Sequence, residues 1–233
     1  MNNSRWKPAA RRLWREWLKP CLVLVFVTTA LRSALADWND VPTGSMKPSI
    51  LEGDRVWVNK LAYDLKVPFT TWHLAEWSNP RRGEVVVFFS PANGTRLIKR
   101  VIGLPGDTVE LQDNRLLLNG RAVDYTALDT ATIHAIPAAQ QPLHEFASEH
   151  LVERRHPVMA TPALPAQRSF GPITVPPGHY FMLGDNRDNS LDSRSFGPVP
   201  RERIVGRSTA IVLSLDRERW FAPRWERCLT AMP

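Results

Sequence analysis

The chain has 233 residues, 43% of them hydrophobic and 23% charged, which suits one sizeable folded domain and excludes a fibrous or wholly disordered protein. Its formal charge is +7, but Arg5, Lys7, Arg11, Arg12, Arg15 and Lys19 against Glu16 place +5 of it in the first twenty residues. Only about +2 remains for the rest, whereas a nucleic-acid binder spreads a basic face over its folded part; nucleic acid is therefore not an expected partner.

In chain order, the first element is apolar. Cys21 to Leu31 is uncharged, and the apolar character continues through Arg32 to Ala36. Sixteen residues are short for a bilayer core of about 30 Å unless Trp17, Leu18 and Trp38 extend the run and Lys19 and Arg32 snorkel. A membrane anchor over 21–37 is the preferred reading, with the basic residues 1–20 cytoplasmic and everything after about 38 outside. A cleavable secretory signal ending at Ala34-Leu35-Ala36 is the competing one. A buried amphipathic helix fits less well, because the run is apolar all round. Cys21 in this run and Cys228 near the C-terminus imply no disulfide framework.

After residue 40, short apolar runs broken by Gly, Pro, Asn and Asp have the spacing of an all-β domain. Strands are expected at 55–58, 84–89, 96–103, 108–111, 115–118, 179–183 and 209–215. Asp113-Asn114 and Asn119-Gly120 are turn signals, so 108–123 reads as hairpin-like. Residues 124–170, rich in Ala, Pro and His with little alternation, read as an inserted lobe. The tail from Trp220 to Trp225 has a composition that suits a membrane interface or a packed C-terminal segment. The expected fold is mainly β: a β-rich domain from 38–123 and 171–233, the lobe inserted, one N-terminal transmembrane helix in front.

The first site candidate is Pro42-Thr43-Gly44-Ser45-Met46-Lys47-Pro48. A serine behind glycine is usually a turn residue, but here Gly44 allows close approach, the two prolines stiffen the segment, and Thr43 adds a second hydroxyl. A serine nucleophile needs a base, and a lysine serves only if it is held neutral. Lys99 is the candidate: Leu97, Lys99 and Val101 share one face of a strand whose other face, Ile98, Arg100 and Ile102, is equally apolar. Burial on that scale can move a lysine pKa by about three units, to the 7–8 range useful for a base.

The third cluster is Gly184 to Arg194, rich in Asp and Asn. A calcium loop wants Gly sixth and Glu twelfth; counted from Gly184 these are Asn189 and Ser195, so a hydrogen-bonded supporting loop fits better. None of the six histidines sits in a metal-binding pattern, and no spacing points to a Ser/His/Asp triad. No metal and no cofactor are expected.

Together, residues 42–49, 53–60, 81–88, 99–107 and 184–194 resemble, in order, the motifs of the bacterial type I signal peptidases (leader peptidases); GlyAspAsnArgAspAsnSer and LysArgValIleGlyLeuProGlyAsp are the most specific. The resemblance implies a signal-peptidase-like catalytic domain and a serine endopeptidase in which Ser45 attacks the scissile carbonyl, Lys99 is the general base, and the Ser45 amide with the Thr43 hydroxyl forms the oxyanion hole. By the same resemblance Ser190 hydrogen-bonds the Lys99 amine, and Phe88, Leu97 and Met182 keep water from it. Leu97 stands where the best-known member has tyrosine. Asp185 pairs with Arg100 and Asp192 with Arg194 as supports. Val41, Pro42, Met46, Ile50, Val56, Val87 and Ile98 match positions lining the shallow pockets for small residues one and three positions before the cut (Ala-X-Ala type). The implied partners are preprotein signal peptides and membrane lipid, and the implied location is the bacterial inner membrane, single-pass, with an extracytoplasmic catalytic domain. Alternatives that stay open are a relative dedicated to one plasmid-transfer or pilus precursor and an inactive, membrane-tethered peptide-binding domain. The self-cleaving repressors share a Ser/Lys site but need a DNA-binding module, for which residues 1–40 offer no candidate.

Overall fold

The computed structural model describes residues 11–67, 70, 72–152 and 154–232. A wide helical turn over Trp14–Leu18 leads into helix α1 (Lys19–Ala34). Leu22 to Val27 of this helix are all exposed. Among the described residues no helix is long and apolar enough to cross a membrane, which corrects the expected span: sixteen residues cover only about 24 Å, Lys19 and Arg32 bracket the apolar run, and residues 36 and 37 of the expected anchor are already strand. The first half of the basic segment, residues 1–10, lies outside the described residues.

Strand β1 (Ala36–Asp40) follows one residue later and pairs antiparallel with β2 (Asp54–Asn59), Trp38 opposite Trp57. The joint is tied: the Lys60 amide donates to the Leu35 carbonyl and Lys60 Nζ to the Ser33 carbonyl, each at 3.0 Å. The small strands β3 (Asp64–Lys66) and β4 (His73–Glu76) form a separate pair. Next come β5 (Val85–Phe89), β6 (Arg96–Gly103), the hairpin β7 (Thr108–Gln112) and β8 (Arg115–Leu118), and β9 (Arg121–Ala122). The two expected turns adopt positive φ at Asp113, Asn114, Asn119 and Gly120, the geometry that two-residue hairpin loops require.

Residues 124–170, read from composition as an inserted lobe, contain regular structure of their own. They hold β10 (Asp124–Thr126), the short helix α2 (Thr130–His134), β11 (Glu145–Leu151) and β12 (Arg154–Ala160), with the three strands forming one antiparallel sheet. Then follow β13 (Phe170–Thr174), which pairs with β7, β14 (His179–Leu183), helix α3 (Ser193–Phe196), β15 (Val199–Pro200), the long β16 (Ile204–Asp216), β17 (Ala222–Pro223) and β18 (Thr230–Ala231). The main sheet runs β1-β2-β16-β5-β6-β14-β15, with β17 and β18 also paired to β16.

The two-residue period of the strands sorts their side chains into separate cores. Along β5, Val85 and Val87 enter a cluster with Val41, Met46, Ile50, Val56, Val58 and Ile211. Val86 and Phe88 enter another, with Tyr63, Val101, Tyr180, Met182 and Ile204. A third gathers Ile102, Phe181 and Leu183 with the β7–β8 hairpin and Leu151 of the lobe. Strand β6 therefore has apolar neighbours on both faces. The C-terminal segment is packed through its arginines, since Arg227 Nη2 lies 2.7 Å from buried Asp54, while Trp220, at the turn before β17, is 97% exposed.

Candidate active site

Ser45 lies in the turn between β1 and β2, where the Lys47 amide donates to Gly44 and the Ile50 amide to Met46. Met46 and Ile50 plug this turn into the apolar core, and Ser45, immediately before Met46, is 8% exposed. Lys99 is central in β6 and 2% exposed. Alternation puts it on the side of Leu97 and Val101, in the cluster that holds Phe88 and Met182. Its Nζ is 2.6 Å from Ser45 Oγ and donates to the Ile98 carbonyl at 2.9 Å. Burial pushes the amine down to about 8, with Asp192 and then Asp185 opposing that fall through their negative charge. An amine near that value is neutral in a large fraction of molecules at slightly alkaline pH, and a neutral amine can accept the proton of the hydroxyl it faces.

The loop 184–194 packs directly behind the serine. A Cβ on Gly184 would stand 2.5 Å from the Ser45 carbonyl oxygen and collide with Ser190 Oγ, so only glycine fits there. The Asn186 amide donates to the Ser45 carbonyl and its Nδ2 to the Gly44 carbonyl, both at 3.1 Å. Arg100 clamps Asp185 with two bonds, Nε to Oδ1 at 2.9 Å and Nη2 to Oδ2 at 2.7 Å, and Ser49 Oγ donates to the same carboxylate. Burial would raise the Asp185 carboxyl, but the Arg100 guanidinium overrides it and holds it below the usual range. Asp192 binds Arg194 at 2.9 Å and accepts the Gly184 amide at 3.0 Å, locking the loop's own curvature.

Three expected site features sit differently. Ser190 Oγ has no hydrogen-bond partner among the described residues; the Ile98 carbonyl, not Ser190, is the second partner of the Lys99 amine. Thr43 is exposed beside the turn. Of the seven expected substrate-contact residues, Val41, Met46, Ile50, Val56 and Val87 lie in one cluster at 0–2% exposure, with half-buried Ile98 packed against it; Pro42 is exposed. They come together, but mostly as packed core.

Two residues without any assigned part emerge from the lobe. Glu149 and His156 are fully buried, with His156 Nε2 3.3 Å from Glu149 and 3.8 Å from Asp185. Burial, and then the nearby Arg100, push the imidazole pKa down, against the pull of Glu149 and Asp185. Arg187 Nη2 completes the set, 2.7 Å from Glu149 Oε1. No motif marks either residue; the available signal is a polar residue at an inward strand position, legible only once 145–160 is read as strand. Among the described residues, no cluster of His, Cys, Asp and Glu could hold a metal ion.

Over residues 14–213 the sequence matches the family described as signal peptidase, peptidase S26. Among curated relatives, signal peptidase I of Pseudomonas aeruginosa is 36% identical over 213 residues, spanning 85% of this chain and 72% of the relative. Signal peptidase I of Pseudomonas fluorescens is 38% identical with the same coverage. A crystal structure of a signal peptidase I from Enterococcus faecalis V583 is 36% identical and overlaps 57% of this chain and 98% of its own, with a TM-score of 0.36. The family match runs from before α1 to within β16 and takes in every residue of the site, and the chain belongs to the signal peptidase family, peptidase S26, as a serine peptidase of the signal peptidase I type.

Proposed function

We propose that this peptidase cleaves N-terminal signal peptides from exported preproteins after small residues, with Ser45 as nucleophile and Lys99 as general base. The observation that carries the reading is the buried amine 2.6 Å from the serine hydroxyl. When the amine is charged its N–H donates to Oγ; once neutral, it accepts the hydroxyl proton as Oγ attacks the scissile carbonyl. On this reading the oxyanion that forms is stabilised by the Ser45 amide, held in the turn, and by the Thr43 hydroxyl beside it. Protonated Lys99 then returns its proton to the leaving amine, and water hydrolyses the acyl-enzyme by the same route. Asp185 with Arg100 and Asp192 with Arg194 hold the supporting loop. On the same reading Ser190, whose hydroxyl lies beside Gly184, would hydrogen-bond the Lys99 amine. Exclusion of large side chains falls to the apolar cluster around Val41, Met46, Ile50, Val56, Val87 and Ile98, with Pro42 at its rim; small closed pockets discriminate by shape.

The catalytic unit on this reading is 38–123 with 171–233, facing the extracytoplasmic side of a bacterial inner membrane. The exposed apolar side chains of α1 support membrane lipid as its environment, since six consecutive apolar residues open to water would be unfavourable. No cofactor or metal takes part in this scheme. Ser45→Ala and Lys99→Ala should each abolish cleavage of a preprotein while leaving its binding intact, and the product N-terminus should follow an Ala-X-Ala segment. Cleavage that survives either substitution rules the scheme out.

A further inference from the structure

Residues 185–187 are a junction between the nucleophile turn and the lobe. Toward the site, Asn186 holds the carbonyls of Gly44 and Ser45. Toward the lobe, the same three residues are bracketed by Met159 of β12, whose amide donates to the Asp185 carbonyl and whose carbonyl accepts the Arg187 amide, both at 2.8 Å. The Arg187 side chain runs into the lobe, where Nη2 meets Glu149 at 2.7 Å. Glu149 also accepts the Tyr125 hydroxyl and sits beside His156. Arg187 and His156 hold the Glu149 carboxyl well below its usual range although burial pushes it up. A fully buried carboxylate is expensive to desolvate and rarely the best route to stability. Its geometry here serves a different end, because Arg187 is covalently continuous with the peptide units that orient Ser45.

We infer that Glu149 is a positioning residue for the nucleophile: through Arg187 it fixes residues 185–187, and through them the carbonyls of Gly44 and Ser45. The lobe 124–170 thereby becomes part of the catalytic apparatus. This rests on Ser45 being the nucleophile, as proposed above. The Oγ-to-amine distance and the direction of the Ser45 amide both depend on the turn, and misplacement by about 1 Å can cost roughly 100-fold in rate.

The test uses the full chain in detergent micelles with a peptide containing an Ala-X-Ala cleavage site, reading kcat, KM and thermal unfolding for each variant. Tyr125→Phe removes one donor to Glu149 without stranding a charge, and kcat should fall about fivefold, the equivalent of one lost hydrogen bond. Glu149→Gln should lower kcat about 100-fold with KM nearly unchanged. The pair Glu149→Leu with Arg187→Met removes both charges, so unfolding should return toward the wild-type temperature while kcat stays low. Recovery of kcat together with stability in the paired variant would overturn the inference, as would unchanged kcat in Tyr125→Phe. Ser45→Ala run alongside separates the two readings: if it retains activity the nucleophile is wrong, whereas an inactive Ser45→Ala with a fully active Tyr125→Phe sinks Glu149 alone.

Discussion

Lys99→Met trades the buried amine for an uncharged side chain of similar length and tests the electrostatics of the site through stability. Burial takes the amine from an ordinary value of 10.5 to about 8, a difference of about 3 kcal/mol at roughly 1.4 kcal/mol per pH unit. Between those two values the unfolded chain binds more protons than the native one, so wild-type stability rises with pH across that window. Below pH 8 the native state carries the whole penalty, and above 10.5 it carries none. The variant loses the contact between Nζ and Ser45 Oγ, which costs about 1 kcal/mol. Lys99→Met should therefore be more stable than wild type by about 2 kcal/mol at neutral pH and less stable by about 1 kcal/mol in strong alkali. Urea unfolding in detergent, followed by tryptophan fluorescence at about pH 7, 9 and 11, measures this crossing. A stability difference that stays constant across the three would show that the amine titrates normally, and the reasoning would fail.

Four further outcomes follow from the same geometry. The acid limb of kcat/KM should lie near pH 8, and Asp192→Asn should move it to lower pH by removing the negative charge that supports the protonated amine; a limb displaced upward would contradict the assignment. Gly184→Ala should lower kcat by about 100-fold, because its Cβ would press on the Ser45 carbonyl; steady-state kinetics on a folded variant decides it. Asp185→Ala strands the buried Arg100 guanidinium and should cost about 3–5 kcal/mol of stability, measurable by urea titration. Incubation with a chelator should leave cleavage unchanged, and a large loss would point to metal chemistry instead.

What was legible in the sequence follows a physical rule: strands whose two faces meet apolar neighbours announce themselves by composition. The expected strands at 96–103, 115–118 and 179–183 match β6, β8 and β14 to the residue. Strand β16 begins five residues earlier than its apolar run, because bulges near Gly206 and Ala210 let polar residues pair with β2 and β5. Strand β1 has almost no intrinsic strand preference in Ala-Asp-Trp-Asn-Asp and exists because β2 offers it a partner. The lobe strands were hidden for another reason. Glu149 and His156 point inward, so the polar and apolar positions fail to alternate, and long-range charge pairing replaces the local pattern that marks a strand. In the site, Lys99 was readable because an apolar strand flanked it on both faces. The hydrogen bonds of Asn186 to the turn join positions 142 and 141 residues apart, which no local spacing encodes.

Only Leu35 separates α1 from β1, and Lys60 grips both sides of that joint. A connection this short leaves the helix little length over which to turn relative to the sheet. On the membrane-anchored reading proposed above, the surface that holds the helix would set the height at which Ser45 is presented, and the distance from that surface to the cut would act as a ruler. If that reading holds, lengthening the joint by a few glycines should leave the chemistry intact and blur where a preprotein is cut.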